Sequence, residues 1–271
     1  MPVTNLYNKT AAFIRKDFLI ESGYKMAFAI RLLNAVFPIL SFFFVGKMIS
    51  GNVNLERYGG SYFPFALVGI AFTSYFTLAV GTFSSTIRRS QMAGCLEAIL
   101  SSQTSTSSVV LMSSVYSFIS AGVQLILIFT IGTVFLHFDL SRVNIPATFV
   151  VFLLSLVTFV SMGILSAAGT ILFKQGEPFG WIFGGLSSLI GGAFFPVSVM
   201  PHWLQYVAMV TPITHALEAL RLAMLRHYSI AMLWPQIITL GMIGLFLFPA
   251  SLAFFNWAVR KGKKDGTLMQ Y

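Results

Sequence analysis

Acidic residues and cysteines are scarce in this sequence. Its 271 residues include 8 Asp and Glu against 17 Lys and Arg, and a single cysteine, Cys95. Charged residues make up 9% of the chain, whereas a soluble domain carries about 25%. One cysteine excludes an internal disulfide. So low a charge content excludes a separate water-soluble catalytic domain.

Several catalytic and nucleotide-binding motifs are also absent. No G-x-x-x-x-G-K-[ST] run occurs, so we expect no P-loop ATP site on this chain. No H-E-x-x-H occurs, and the histidines show no metal-ligand spacing, so we expect no metal site. The predicted spans hold no clear acidic residue for a proton relay. If the protein moves a solute uphill, the energy therefore comes from another subunit.

Apolar residues dominate the chain. Hydrophobic residues make up 56% of it and the mean hydropathy is +0.82, which indicates an integral membrane protein. The basic residues lie at the ends of apolar stretches, where orientation signals belong, so the net charge of +9 does not indicate a nucleic-acid partner. A spanning helix needs about 20 apolar residues. The sequence therefore predicts six spans, at 30–49, 62–86, 109–136, 147–172, 180–198 and 235–258.

The number of spans depends on the apolar stretch before the last one. A second pass through 203–224 would place Glu218 and Arg221 in the bilayer, and each charge at its centre costs roughly 2.5–3.5 kcal/mol. With six passes and a re-entrant segment, both termini are cytoplasmic. The basic residues left outside are then Lys47, Arg57, Arg142, Arg221 and Arg226. The positive-inside rule favours this six-span arrangement.

The stretch 191–226 starts as an apolar membrane segment and then breaks. Pro196, Pro201 and Pro212 interrupt it, and lipid cannot satisfy the backbone groups that such breaks release. Irregular backbone at membrane depth survives only inside protein or beside a water-filled cavity. This segment therefore indicates a pathway through the membrane rather than a simple anchor.

A short helix is predicted after this break. Thr211 and Pro212 are predicted to be the N-cap and first residue of a helix that reaches about Leu225. Glu218 and Arg221 lie three residues apart on it, so we expect them to pair.

The N-terminal residues 1–29 are predicted to form an amphipathic helix. Phe13 and Tyr24 share one helical face, and Lys16 and Glu21 share the other. Such a helix lies in the cytoplasmic interface. A frayed extension of the first span is the alternative.

The loop between the second and third spans also has an amphipathic pattern. Leu96 and Leu100 share one face of a short predicted helix, with Glu97 beside them. Such a helix suits docking into a groove of a partner. Composition alone favours an ordinary loop that carries two positive-inside arginines, Arg88 and Arg89.

Two motifs resemble those of ABC exporter permeases of the type-2 class. In that family a basic pair precedes a G-T-L-E-x-L-L run, and here R-R at 88–89 precedes G-C-L-E-A-I-L over 94–100. The longer match comes before the last span, with G-A-F-F-P-V-S-V-M-P-H-W-L-Q over 192–205 and T-P-I-T-H-A-L-E-A-L-R over 211–221. The resemblance covers nearly the whole chain, from the interfacial helix to the sixth span.

The resemblance implies a coupling helix in the loop 87–104, held against an ATPase subunit with Glu97 as its charged contact. The first motif departs from the family pattern, since Gln91 replaces an acidic residue, Cys95 replaces a threonine, and no proline follows Leu100. These departures concern the details of docking. The implied coupling residues are Arg88, Arg89, Gly94, Leu96, Glu97 and Leu100, with a smaller second contact through Glu177 and Phe179.

The resemblance also implies the partners. They are a second permease copy, as a homodimer or heterodimer, two copies of a separate ABC ATPase subunit, and membrane lipid. ATP and Mg bind to the ATPase subunits, and no cofactor binds to this chain. The implied location is the cytoplasmic (inner) membrane.

The segment 196–227 is, by the same resemblance, a pair of short re-entrant helices, 201–210 and 212–225, that gates the pathway on the outer side. A surface loop on the outer leaflet is the alternative, and it would expose a large apolar patch. The implied gate residues are Pro196, Pro201, Trp203, Pro212, Glu218 and Arg221.

Small residues recur every fourth position along the fifth span. This spacing forms a ridge that allows close helix packing. A dimer or pathway interface and packing within one subunit fit the ridge equally well. The residues concerned are Gly180, Gly184, Ser188 and Gly192.

These patterns together predict an all-α membrane protein with a single permease domain, 1–271. It has six transmembrane helices, an N-terminal cytoplasmic interfacial helix and an outer re-entrant helix pair before the last span. The expected function is that of the membrane subunit of an ATP-driven exporter of a lipophilic or amphipathic small molecule. An exporter of a polysaccharide or lipid-linked glycan is the alternative substrate class. A non-transporting membrane scaffold is the competing class of function.

Overall fold

The computed structural model describes residues 11, 12, 14, 15, 18, 19, 25–49, 55–92, 94, 106–173 and 187–264. All the described residues between 11 and 19 are helical, where the sequence predicts the interfacial helix. The residues that define its two predicted faces lie outside the described part, so its amphipathic placement stays a prediction.

Every secondary-structure element in the described ranges is helical, and these ranges contain no strand. A short 3-10 turn at Glu56–Tyr58 follows the first helix, and another at Val197–Val199 precedes the sixth. The α-helices are α1 Lys25–Ile49, α2 Tyr62–Met92, α3 Thr106–Leu136, α4 Ile145–Phe173, α5 Ser187–Ile190, α6 His202–Val210, α7 Pro212–Leu225 and α8 Trp234–Lys264.

Four helices in the described residues are long and apolar enough to cross a membrane: α2, α4, α8 and the Ser114–Leu136 part of α3. They correspond to the predicted spans 62–86, 109–136, 147–172 and 235–258. In α1, Val36–Ile49 forms a shorter apolar helix. The first part of the predicted fifth span, 180–186, lies outside the described residues. These helices support a multi-pass protein, and the six-span arrangement stays a prediction.

The predicted fifth span ends earlier than the sequence indicates. It is predicted to reach residue 198, but helix α5 ends at Ile190 and the chain turns at Gly192, whose φ is +75°. A positive φ is accessible to glycine and stops an α-helix. The predicted break thus begins before Pro196.

Helix α4 lies at the centre of the bundle and packs against α2 on one side and α8 on the other. Glycine permits the close approach to α2, because a Cβ on Gly163 would lie 2.5 Å from Phe83 Cδ2 and 2.9 Å from the Ala79 carbonyl oxygen. One turn further, the Ser84 hydroxyl donates to Ser166 Oγ at 2.6 Å in a fully buried site. Small and hydroxyl side chains therefore bring these helices together.

Helices α2, α4 and α8 all run in the same direction. Near its start α2 contacts α7, and the backbone N–H of Asn144, just before α4, donates to the Ala223 carbonyl at 3.0 Å. Towards their other ends the same three helices share a second apolar core that contains Ile87, Ile171 and Val259. The bundle thus has two ends, which we call the α7 end and, from its charges, the basic end.

Charged side chains are distributed unequally between these ends. Two ion pairs lie at the α7 end: Arg57 with Glu218, and Arg142 with Asp139 at 3.6 Å. Hydrogen bonds from the Ser141 side chain and backbone lower the pKa of the Asp139 carboxyl. The basic end carries Arg88, Arg89, Arg260, Lys261, Lys263 and Lys264. The sequence predicts these two groups of basic residues on opposite sides of the membrane, and that orientation stays a prediction.

Replacement of Gly163 by alanine tests the packing of α2 against α4. We expect Gly163→Ala to lower the free energy of unfolding by about 1–3 kcal/mol, as overpacking typically does, because the Ala79 carbonyl cannot move without displacing its helix. Thermal unfolding of the purified chain in detergent measures the change.

Gly122→Ala is the matched control, because no neighbouring element of the described chain lies within 4 Å of a Cβ at that position of α3. Relief of the glycine penalty should make it neutral or stabilising by up to about 1 kcal/mol. Equal destabilisation by both variants would contradict the packing argument.

Candidate functional site at the α7 end

The break after α5 is held by local hydrogen bonds. The backbone N–H of Gly192 donates to the Leu189 carbonyl at 3.4 Å, and that of Ala193 donates to the Ser188 carbonyl at 3.1 Å. A Cβ at Gly192 would lie 3.0 Å from Val197 Cγ2 and would have to adopt the +75° φ. The turn therefore depends on glycine at this position.

A short connection leads from this turn to α6. Pro196 and Met200 flank the 3-10 turn in extended conformation, and Pro201 precedes the first residue of α6 in the same way. The Gln205 side-chain amide donates to the Met200 carbonyl at 2.8 Å, and to the Ser198 carbonyl at 3.4 Å. These prolines end one element and start the next, and the glutamine closes the connection.

Helix α6 exposes apolar and aromatic side chains. Trp203 and Tyr206 are 68% and 71% exposed, and Ala208 is fully buried. Trp and Tyr are enriched at membrane interfaces because their rings are apolar and their tips polar. The predicted gate residue Trp203 thus faces outward on α6, as an interfacial anchor does, and is not in the protein core.

The junction of α6 and α7 has the predicted residues but not a side-chain cap. Thr211 is extended, with φ −81° and ψ +129°, and Pro212 is the first residue of α7. The Thr211 hydroxyl donates backwards to the Ala208 carbonyl at 2.7 Å, and it lies 2.9 Å from the Thr214 hydroxyl. The predicted pair of helices is present as His202–Val210 and Pro212–Leu225.

Arg221 is the most heavily bonded side chain of the site. It is 3% exposed, and its guanidinium donates to the carbonyls of Gly192 and Ala193 at 2.7 Å each, and to that of Phe65 at 3.2 Å. The same group lies 3.5 Å from the centroid of the Phe65 ring. Removing this cation from water costs several kcal/mol. Three charge-assisted hydrogen bonds and the aromatic ring offset that cost.

These contacts satisfy the backbone groups that the helix break releases. Gly192 and Ala193 lie beyond the end of α5, so their carbonyls have no helical partner. Arg221 in α7 supplies donors to both, and its third bond connects them to the start of α2. The side chain therefore joins three elements at one buried point.

Glycine at position 69 makes room for this arrangement. A Cβ on Gly69 would lie 2.0 Å from the Ala193 carbonyl oxygen and 2.3 Å from Arg221 Nη2. No side chain can occupy that space without displacing the carbonyl or the guanidinium. The close approach of α2 to the turn therefore requires glycine here.

The expected pairing of Glu218 with Arg221 is wrong. Glu218 forms its ion pair with Arg57, in the 3-10 turn before α2, and Arg221 directs its donors to backbone carbonyls instead. The reason is geometric, because Arg221 points into the bundle and Glu218 stays at its surface, with 24% of its side chain exposed. A contact with a distant segment thus replaces the i, i+3 contact.

A second arginine ties α7 to the same turn. Arg226, just after α7, donates to the carbonyls of Glu56 and of Arg57, the latter at 3.2 Å. Burial raises the pKa of the neighbouring Tyr58 hydroxyl, and the Glu218 carboxylate raises it further. The turn is therefore held to α7 by an ion pair and by backbone hydrogen bonds.

Aromatic contacts attach α1 to the broken segment. The rings of Phe42 and Phe194 stack with centroids 5.1 Å apart. The Tyr62 hydroxyl, at the start of α2, donates to the Phe194 carbonyl at 3.0 Å. Phe194 thus connects the first two helices to the chain between α5 and α6.

The predicted small-residue ridge is only partly described. Gly180 and Gly184 lie outside the described residues, and Ser188 is half-buried in α5. Gly192 does not belong to the ridge, because it lies after the helix and forms the turn. Its role is conformational, and the prediction that it packs as part of a helical stripe is wrong.

The predicted coupling residues that the structure describes are Arg88, Arg89 and Gly94, at and just beyond the end of α2. Arg88 and Arg89 are in the last turns of α2, where the Arg89 Nε donates to the Ser85 carbonyl at 3.3 Å. Gly94 is exposed with a φ of +65°. The coupling residues outside the described part are Leu96, Glu97, Leu100, Glu177 and Phe179.

Sequence reasoning missed four residues of the α7 end: Arg57, Tyr58, Phe65 and Gly69. Arg57 and Tyr58 lie in the 3-10 turn, and Phe65 and Gly69 lie in the first half of α2. All four are far along the chain from the proline-rich segment. No local spacing connects the two regions. The sequence signal that could have pointed to the turn is the pair of adjacent charged residues, Glu56 and Arg57, just before an apolar stretch.

Two of the histidines contact backbone carbonyls of neighbouring segments. His215 bonds to the Met209 carbonyl at 2.8 Å, and His227 bonds to the Arg142 carbonyl at 3.2 Å through Nδ1. Within the described residues no group of three or more His, Cys, Asp or Glu side chains could hold a metal ion. His215 thus connects α7 to the end of α6, and His227 connects the segment after α7 to the segment before α4.

The helices and their apolar surfaces define an integral membrane protein that crosses the bilayer several times. A model of the ABC-2 type transporter family matches residues 10–225, well over half of the chain. No curated protein matches the chain in a sequence comparison. The chain belongs to the ABC-2 type transporter family. It is therefore a permease component of an ABC exporter, a class that works with an ABC ATPase partner.

Replacement of Arg221 by lysine tests the buried contact. A lysine keeps the charge but cannot reach three carbonyls and stack on Phe65 at the same time. We expect Arg221→Lys to lower the free energy of unfolding by about 3 kcal/mol, the cost of uncompensated burial of a charge. Thermal unfolding in detergent measures the loss.

Arg142→Lys is the matched control, because the Arg142 side chain is 71% exposed in a surface ion pair. A surface pair contributes about 0–1 kcal/mol, so this variant should unfold like the parent protein. Arg221→Lys with parental stability would refute the assigned role of Arg221.

Proposed function

We propose that two permeases form a pathway along their shared interface for a lipophilic or amphipathic small molecule. Two separate ATPase subunits bind ATP and Mg and drive transport. The observation that carries the proposal is the helical pair α6 and α7, in which α7 is fixed to the start of α2 by Arg221 and to the start of α4 by the Asn144–Ala223 hydrogen bond. A fixed element at one end of the bundle suits a gate over the pathway exit.

The exposed faces of the helices support an apolar cargo. Along α1 they include Phe37, Leu40 and Phe44, and along α3 they include Val123 and Ile126. A sugar chain against such faces would leave its hydroxyls without hydrogen-bond partners.

Two hydroxyl groups on these helices donate hydrogen bonds within their own helix. Ser41 donates to the Phe37 carbonyl at 2.9 Å, and Thr130 donates to the Ile126 carbonyl at 2.8 Å. The protons of these two hydroxyls are already engaged, so they can only accept hydrogen bonds from a polar cargo, which favours the small-molecule proposal over the glycan alternative.

Helix α2 provides a route between the two ends. It has 31 residues, and its one proline, Pro64, lies in the first turn, where it does not kink the helix. The helix therefore extends about 46 Å. Its end carries Arg88 and Arg89, and its start holds Phe65 and Gly69 against the turn after α5. We infer that closure of the ATPases moves the coupling helix and that α2 carries this movement to α7.

The orientation follows from the charges. We propose that the basic end faces the cytoplasm, as the positive-inside rule favours, with both termini on that side, and that the membrane is the cytoplasmic (inner) one. The α7 end, with its pairs Arg57–Glu218 and Arg142–Asp139, then faces outward.

Reversal of the charge at Glu97 tests the coupling proposal. We expect the parent permease to retain a P-loop ATPase during purification, and Glu97→Arg to reduce ATP-driven export of a lipophilic dye at least about tenfold, since a buried charged contact is typically worth about 2–5 kcal/mol. Membrane insertion should be unchanged. Retention of the ATPase and ATP-driven uptake of the dye into inverted vesicles are the two measurements.

Asp139→Arg is the control, because it reverses an exposed acid at the opposite end. Its export should match that of the parent. Normal export by Glu97→Arg would refute the coupling contact. Failure to retain an ATPase under any condition would favour a scaffold, and stimulation of ATP hydrolysis by a lipid-linked oligosaccharide alone would favour the glycan exporter.

Exchange of the charges at 57 and 218 tests the gate. Arg57→Glu or Glu218→Arg alone places like charges together, and we expect each to loosen α7 from the turn before α2. The double variant restores the attraction. Labelling of a cysteine at Met200, which is 6% exposed, by a membrane-impermeant maleimide in a Cys95→Ser background reports the opening.

Both single variants should label Met200→Cys several-fold faster than the double variant and the parent. Val199→Cys, at a position 68% exposed, is the control and should label rapidly in every background. Equal labelling of Met200→Cys in all four backgrounds would contradict a gate held by this ion pair.

A further inference from the structure

The last three turns of α8 present an ordered series of side chains along one face. Phe254 stacks on Trp257 with ring centroids 5.4 Å apart, and Lys261 Nζ lies 5.3 Å from the Trp257 ring. Lys264 follows three residues later, on the same face of the helix. The series passes from an apolar ring through an amphipathic ring to cations.

This order corresponds to the layers of a membrane surface. Phe254 and Trp257 are 40% and 49% exposed, so the rings lie on the outside of the bundle. Tryptophan favours the headgroup level, and lysines near a helix end extend to the polar layer. The face of α8 therefore places Lys261 and Lys264 beside lipid headgroups.

The cations of this face lie at the surface of the bundle, and neither ion pair of the α7 end involves them. Neither the pair Arg57–Glu218 nor the pair Arg142–Asp139 includes any of them. Arg260, Lys261 and Lys264 are all exposed. Their charge is thus available to anionic groups outside the chain.

The opposite end offers an internal comparison. Lys47 lies 4.8 Å from the Phe43 ring at the end of α1, so a lysine–aromatic contact occurs there too. At that end, however, Glu56, Asp139 and Glu218 accompany the cations. Among the described residues, four exposed cations at the α7 end thus accompany these three acids, whereas the aromatic contact of the basic end is accompanied by exposed cations and by no acidic residue.

We propose that Arg260, Lys261 and Lys264, with the Phe254–Trp257 pair beneath them, form a binding surface for anionic phospholipid headgroups. The phosphate oxygens accept hydrogen bonds from the cations, and the acyl chains near the glycerol backbone contact the two rings. Cations close to an anionic leaflet are each attracted within a Debye length, about 8 Å at physiological ionic strength. Binding should therefore weaken at high salt.

The tryptophan of this face serves as the reporter. With Trp181→Phe, Trp203→Phe and Trp234→Phe, Trp257 becomes the remaining tryptophan of the chain. The 271-residue permease, without any partner, is reconstituted in phosphatidylcholine vesicles with a minor fraction of phosphatidylglycerol. The bromine label is placed on the acyl chains of either lipid at equal amounts. Both leaflets have the same composition, so the orientation of the permease does not affect the result.

We expect brominated phosphatidylglycerol to quench Trp257 several-fold more than brominated phosphatidylcholine at low salt. Arg260→Gln, Lys261→Gln and Lys264→Gln together should abolish the difference. Lys261→Arg with Lys264→Arg keeps the charges and should preserve it, which separates loss of charge from loss of fold.

A second reporter is the matched control. Phe43→Trp, in a chain whose four native tryptophans are phenylalanine, reads the lipid beside Lys47 and should show no preference for phosphatidylglycerol. Equal quenching of Trp257 by both lipids would overturn the proposal, and so would a preference that survives the triple glutamine variant. A triple variant that keeps the lipid preference but no longer retains the ATPase would assign the surface to a protein partner instead.

Discussion

The buried guanidinium of Arg221 is the contact on which the α7 end depends. A helix that breaks inside a membrane protein exposes carbonyls that lipid cannot satisfy. Arg221 satisfies those of Gly192 and Ala193 and connects them to Phe65 in α2. The charge is tolerated at 3% exposure because three carbonyls accept its hydrogen bonds and an aromatic ring covers it. Without this contact, the turn after α5 would lose its charged connection to α2 and α7.

The two ends of the bundle use charge in different ways. At the α7 end, arginines join separate segments, through the pair Arg57–Glu218 and through the bonds of Arg226 to the 3-10 turn. At the basic end, the cations of α8 point away from the protein. Between them, the contacts of Gly163 and the Ser84–Ser166 bond pack α2 against α4. The closely packed centre connects the α7 end, where arginines join separate segments, to the basic end, where the cations are exposed. This arrangement is consistent with the proposed coupling, in which movement enters at the basic end and acts at the α7 end.

The fold is largely predictable because hydrophobic length is a local property. The long apolar stretches indicate α2, α3, α4 and α8, and Pro201, Thr211 and Pro212 indicate where α6 and α7 begin. The error in this prediction also concerns a local feature, the residue at which a helix ends. The end of α5 is predicted too late, because the sequence points to the proline at 196 as the break, whereas Gly192 turns the chain first.

The sequence by itself determined that this is a multi-pass helical membrane protein and where the long apolar helices of its described part lie, because composition and hydrophobic length need no partner. Tertiary structure decided which residues meet. Glu218 and Arg221 are neighbours on a helix, yet one pairs with Arg57 and the other enters the core. Gly69 has no distinguishing local pattern, and its necessity follows from the carbonyl of Ala193 packed against it. Contacts between segments far apart in sequence arise only when the helices pack, so the local spacing of residues does not predict them.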